Sequence, residues 1–175
     1  MMCDGADMDD VLFHIDGLVR RTGWALVPVD GGRGRDWVYT IGLAGRDHPE
    51  LVIAGVDLRY AAQVLGDLAA RVCDGERLDS TDHVTYDDGL TAELVDVHAA
   101  HVERGLVNMW FNYYAALGPR PPGLTVRQIV PPDAEFCCDH AGTQPRLDRP
   151  DDVVGLSGPN RAERRARQRR SRHGR

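Results

Sequence analysis

The apolar residues of this chain change period repeatedly, and most of the changes are marked by a glycine. A period near 3.6 makes one apolar stripe on a helix, and a period of two makes one apolar face on a strand, so the order of periods fixes the order of elements. Val11, Leu12, Ile15, Leu18 and Val19 share a helical face, with Asp9 or Asp10 placed to cap the helix and Gly23 to stop it in the left-handed region. Residues 24–29 read as a strand. Gly31, Gly32 and Gly34 supply a flexible turn, and Trp37, Tyr39, Ile41 and Leu43 alternate on the next strand, so the two are expected to form a hairpin. Residues 51–56 are a short continuous apolar run, as found in buried central strands.

Asp57 is placed to cap a second helix, with Leu58, Ala61, Ala62, Leu65, Leu68, Ala69 and Val72 inward and Gly75 at its end. Residues 83–86 and 91–97 flank Asp87-Asp88-Gly89, a good hairpin turn. Val102, Leu106, Met109, Trp110, Tyr113 and Leu117 then fall on one stripe of a third helix that stops at Gly118-Pro119. Residues 124–130 make a last strand, closed by Pro131-Pro132. The expected fold is α+β: a mixed or mainly antiparallel sheet of about five to six strands packed by three helices, with a flexible C-terminal basic tail. The expected division is a flexible N-terminus over 1–8, one domain over 9–150 and an arginine-rich tail over 151–175, flexible or conditionally helical.

Charge is segregated along the 175 residues. Eight of the 21 arginines and one of the 27 acids, Glu163, lie in 160–175, giving that stretch a formal +7. The remainder, with 13 arginines and 26 acids, carries −13. A body this acidic repels nucleic acid, while the tail attracts polyanions, the chain's own acids included. A 42% hydrophobic content supports a buried core and excludes wholesale disorder. The opening residues 1–7 are acidic and lack an apolar run, and the longest uncharged stretch, 105–119, is too short to span a bilayer, so neither a signal peptide nor a membrane span is expected. Four cysteines, two of them adjacent, do not make a secreted disulfide framework, which points to reduced thiols in a cytoplasm.

An ordered set of short motifs runs over most of residues 10–147: Gly23-Trp24, Tyr39-Thr40-Ile41-Gly42-Leu43, His48-Pro49-Glu50-Leu51, Gly75-Glu76-Arg77, Tyr86, the aromatic cluster from Trp110 to Tyr114, and Gln128-Ile129-Val130 ahead of Pro132-Asp133. In this set the chain resembles the actinobacterial family known as domain of unknown function 4262. The resemblance implies a small bacterial cytosolic α+β domain and implies no activity. The chain departs from the family pattern after Asp133, where similar proteins carry an aromatic-proline segment and this one reads Glu135-Phe136-Cys137-Cys138-Asp139-His140.

Several constellations bear on chemistry. In Arg46-Asp47-His48-Pro49-Glu50, His48 can move protons near neutral pH and Glu50 can orient it or act as a base, with Arg77 available to grip a carboxylate or phosphate. The competing reading makes the loop a turn, with His48 bonding a loop carbonyl, and makes Gly75-Glu76-Arg77 a helix-ending glycine followed by an ion pair. Tyr39, Thr40, Trp110 and Tyr113 can contact a small ligand, although an aromatic stripe at helical spacing is more often a core. His98 and His101 lie three apart, and Cys137, Cys138, Asp139 and His140 follow later. No cysteine pair has ligand spacing, so no metal and no cofactor is expected. Asn160 and Glu163 have the offset of a capping box at the start of a segment carrying Arg161, Arg164, Arg165, Arg167, Arg169, Arg170 and Arg172, a set able to engage RNA or an acidic protein surface. The leading function expected is a binding or interaction module with a polyanion-binding tail. The alternatives are a small enzyme around His48, Glu50 and Arg77, and an RNA- or ribosome-associated factor acting through the tail.

Overall fold

The computed structural model describes residues 7–31, 36–78, 82–86, 89–119, 121–132 and 144–150. The turns at 32–35 and at Asp87-Asp88, the Cys137-Cys138-Asp139-His140 run and the arginine-rich tail lie outside the described residues. The element order is α1 (Met8–Thr22), β1 (Ala25–Val29), β2 (Trp37–Ile41), a 3-10 turn (Leu43–Arg46), β3 (Glu50–Ala54), α2 (Leu58–Cys73), β4 (His83–Thr85), β5 (Thr91–Asp96), α3 (Ala99–Glu103), α4 (Asn108–Ala116) and β6 (Val126–Val130).

The six strands form one mixed sheet in the order β1-β2-β3-β6-β5-β4. Only β3 and β6 run parallel, with Glu50 opposite Val126 and Val52 opposite Gln128; every other pair is antiparallel. Both expected hairpins are present, β1 with β2 and β4 with β5. Helices cover both faces. Trp37, Tyr39, Ile41, Val52 and Ala54 pack with Leu12 and Ile15 of α1 and Trp110 and Tyr113 of α4. Val38, Leu51, Ile53 and Ile129 pack with Ala61, Leu65, Leu68 and Val72 of α2. This two-sided cover explains why every residue of β2 and β3 is buried rather than alternating.

Asp57 caps α2 as its sequence requires, its Oδ1 accepting the N–H groups of Arg59 (2.9 Å) and Tyr60 (3.1 Å). Gly23 stops α1 at φ +93°. Three details differ from expectation. α1 begins at Met8 behind Asp7, which makes no side-chain cap bond, and Asp9 and Asp10 instead sit in the first turn, where the positive end of the helix dipole favours them. Leu43 leaves β2 and opens the 3-10 turn. The single third helix is two helices, α3 and α4, because Gly105 adopts φ +92° and the Leu106 N–H turns back to the His101 carbonyl at 3.0 Å. The apolar stripe survives the break, since Leu106, Trp110 and Tyr113 remain in one core.

Candidate functional site

The site grows out of the seam where β2 and β3 part. Their register runs from Trp37 opposite Ala54 to Tyr39 opposite Val52. Beyond it Gly42, at φ +123°, turns the chain into the 3-10 turn, and side chains take over the lost ladder bonds. The Leu51 N–H donates to Thr40 Oγ1 at 2.9 Å. Glu50, first residue of β3, places its carboxyl in the gap, with no exposed surface. Oε1 accepts three N–H groups: Gly42 at 2.9 Å, Ala44 at 3.1 Å and the Trp110 indole at 3.2 Å. Oε2 faces Thr40 Oγ1 at 2.6 Å. A buried carboxyl is tolerated when its lone pairs are satisfied, and here both oxygens are.

Burial pushes the Glu50 carboxyl above the usual carboxylate range, against the opposing pull of Thr40, Ala44, Gly42 and Trp110, in that order. Because three donors converge on Oε1, a bound proton belongs on Oε2, against Thr40. The Tyr39 and Tyr114 hydroxyls are raised, first by burial and additionally by the charge of Glu50 nearby, so both stay protonated. Tyr39 has a second task. α4 has no side-chain cap of its own, and the Tyr39 hydroxyl accepts the Met109 N–H at 3.1 Å, satisfying a first-turn donor from across the core. Trp110 packs against Tyr114 with the rings tilted at 53° (4.6 Å between centroids) and meets Phe111 edge-on (5.1 Å). Tyr113 donates to Asp16 of α1 at 3.2 Å. Of the four expected ligand contacts, Tyr39, Thr40 and Trp110 therefore gather at Glu50, while Tyr113 ties two helices together. All four are buried.

Gly42 is the tightest point of this cradle. A Cβ there would lie 2.6 Å from the Gly23 carbonyl oxygen. Gly42→Ala is expected to lose at least about 2 kcal/mol, since it adds that clash to a left-handed φ. A urea midpoint that falls at unchanged slope would show it, and an unshifted midpoint would refute it.

His48 is directed elsewhere. Its Nδ1 bonds the Pro49 carbonyl at 2.7 Å, and its Nε2 accepts the Leu78 N–H at 3.1 Å, so these partners fix the tautomer with hydrogen on Nδ1. Arg127 of β6 holds the other side of the same residue, donating to the Leu78 carbonyl at 2.8 Å, and also reaches the Leu94 carbonyl and Asp96. Leu78 packs in the α2-side core and Trp110 in the opposite one, so His48 and Glu50 serve different faces of the sheet. Arg77, beside Leu78, is exposed. Its neighbour Glu76 is gripped by Arg71 through two bonds of 2.6 and 2.7 Å, which holds its carboxyl below the usual range. His98 is the N-cap of α3, accepting the Ala100 N–H at 3.2 Å, and the buried His101 meets the Arg149 carbonyl at 2.7 Å. Among the described residues no three His, Cys, Asp or Glu side chains gather as a metal-binding group.

The profile of the family described as Domain of unknown function (DUF4262) matches residues 18–136, more than half of the chain. The chain belongs to the DUF4262 family. No curated protein and no solved structure matches it. In this DUF4262 domain the motifs that carry the resemblance supply most of the seam: Thr40 and Gly42 from one, Glu50 from the next, Trp110 from the aromatic cluster. The reading of the sequence missed Arg127, and it named Gln128 as part of a family motif without giving it a role. Their signal was two adjacent polar residues inside the apolar strand Val126–Val130, where each must find a buried partner.

The matched span ends before residues 144–150, which nonetheless fold onto it. Gln128 is fully buried and reads their backbone, its Nε2 donating to the Pro145 carbonyl and its Oε1 accepting the Leu147 N–H, both at 2.7 Å. Leu147 is itself fully buried. Arg146 grips Glu93 of β5 through bonds of 2.8 and 2.9 Å.

Proposed function

We propose that this DUF4262 domain is a binding and interaction module whose C-terminal arginines attach it to a polyanion. The observation supporting the first half is the use made of its two acid–base candidates. Both ring nitrogens of His48 hold backbone groups, and Glu50 is sealed under four donors. A general acid or base must reach the proton it moves, and both of these side chains are turned to the protein's own chain. The second half rests on the charge pattern, +7 over residues 160–175 against −13 elsewhere. Among the described residues no helix is long and apolar enough to cross a membrane.

The full chain is expected to bind single-stranded RNA weakly, with each neutralised phosphate adding about −0.7 to the log–log salt slope. Exchanging Arg161, Arg164, Arg165, Arg167, Arg169, Arg170 and Arg172 for glutamine should abolish binding. Anisotropy titrations at two salt concentrations read this directly, with polyglutamate alongside to separate RNA from an acidic protein surface. Tighter RNA binding by the neutralised variant would place the binding surface on the acidic body and reject the proposal.

A small enzyme with acid–base chemistry around His48, Glu50 and Arg77 is the second reading, favoured by the raised pKa of Glu50 among aromatic hydroxyls. The two readings part on Glu50→Gln: a module keeps its RNA affinity, whereas an enzyme loses turnover while staying folded.

A further inference from the structure

Residues 144–150 belong to no helix or strand, yet the domain reads them atom by atom. Gln128 takes the main chain of Pro145 and Leu147 from below. The His98 N–H donates to the Leu147 carbonyl at 2.7 Å, His101 Nε2 to the Arg149 carbonyl at 2.7 Å, and Arg104 Nη1 to the Pro150 carbonyl at 3.1 Å. Four carbonyls and one N–H of this strap are thus taken by groups of β6 and the α3 segment. Two side chains add selectivity. Leu147 fills a fully buried position in the α1/α4-side core, and Arg146 makes a two-pronged pair with Glu93, supported by Asp148. At the near end Pro145 lies directly against Gly55, where any Cβ would collide with it.

Main-chain bonds along an irregular segment, one buried apolar anchor and one paired charge are the means by which a groove recognises a peptide. We infer that the groove between β5, β6 and α3 is a peptide-binding site, filled in cis by the chain's own strap. Its partner in trans is an unstructured protein segment that presents arginine followed by leucine in the register of Arg146 and Leu147. The argument for this occupant is the strap itself: it shows which backbone atoms the groove reads, that the anchor pocket holds leucine and that Glu93 selects a cation. The inference concerns a different surface from the tail and does not depend on it.

A tethered strap presents itself at an effective concentration on the order of millimolar, so a free peptide competes poorly with it until the strap is weakened. The test uses labelled Gln-Pro-Arg-Leu-Asp-Arg-Pro and its counterpart with glutamate in place of the first arginine, titrated against full-length proteins by anisotropy. The strap-weakened variant carrying Arg146→Ala and Leu147→Ala should bind the arginine peptide at least tenfold more tightly than wild type. Glu93→Arg, a change at a half-exposed position that leaves the strap's core anchor in place, should reverse the preference and bind the glutamate peptide at least tenfold more tightly than wild type does. Thermal melts confirm that each protein is folded. A folded Glu93→Arg protein that shows no preference between the two peptides would overturn the inference. So would a scrambled peptide that binds either variant as well as the designed one.

Discussion

Trp110→Ala should melt about 6–20 °C below the wild-type protein. Trp110 is 1% exposed and sits where α4 meets the sheet. Truncating a buried tryptophan to alanine costs roughly 3–5 kcal/mol, and in a chain of this size each kcal/mol moves the midpoint by about 2–4 °C. The variant also loses the indole N–H that Glu50 Oε1 accepts, and it removes the tilted ring contact with Tyr114. Trp110→Phe keeps much of the volume and forfeits the N–H, so its midpoint should fall between the two. Calorimetry on the three proteins decides the matter. An unshifted midpoint in Trp110→Ala, accompanied by loss of a ligand, would make the aromatic cluster a binding surface instead of core.

Glu50→Ala should also be strongly damaging, with a loss above about 3 kcal/mol. It orphans the N–H groups of Gly42, Ala44 and Trp110 at once, and each buried donor left without an acceptor costs about 1–3 kcal/mol. Glu50→Gln is a different case. Its carbonyl oxygen can occupy the three-donor position and its amide can donate to Thr40, which copies the protonated acid.

The comparison of wild type with Glu50→Gln carries a pH signature whose sign follows from burial. The folded-state pKa of Glu50 is raised, so the folded protein holds this proton more tightly than the unfolded chain does. The resulting stabilisation is complete below the unfolded value of about 4.3 and is lost as pH rises through the folded value. Wild type should therefore lose stability relative to Glu50→Gln as the pH climbs over that window. Urea midpoints of both proteins across a pH series measure it. Parallel curves would mean that the carboxyl titrates alike in both states.

Much of the architecture was legible because it rests on local rules. Gly23, Asp57 and Gly89 act within a few residues of themselves, and the apolar run of β3 needs cover on both sides wherever it sits. What was not legible depends on long-range partners. Nothing in the stripe from Val102 to Leu117 outweighs helical period except Gly105, whose left-handed turn is stabilised by the Leu106–His101 bond. The pair Glu50 and His48 looked like one site because a single residue, Pro49, separates them. His48 lies ahead of β3, outside the strand's period of two, so one side chain turns to Trp110 and the other to Leu78, and sequence proximity does not reveal that. The strap was invisible for a third reason: residues 144–150 have no period, and their bonds go to Gln128, Glu93, His98, His101 and Arg104 across the fold.

The sheet is two antiparallel three-stranded units, β1-β2-β3 and β6-β5-β4, joined along the single parallel contact of β3 with β6. During synthesis the first unit, with α1 and α2, can assemble from near neighbours long before residue 130 exists. Until β6 arrives, the inner edge of Glu50–Ala54 has no strand beside it, and this edge is one of the most apolar stretches of the chain. An open apolar edge is a template for pairing with other chains. Nascent or truncated forms ending before β6 are thus the aggregation-prone species of this protein. Closing the parallel contact, the step with the longest intervening loop, sets the pace at which that hazard ends.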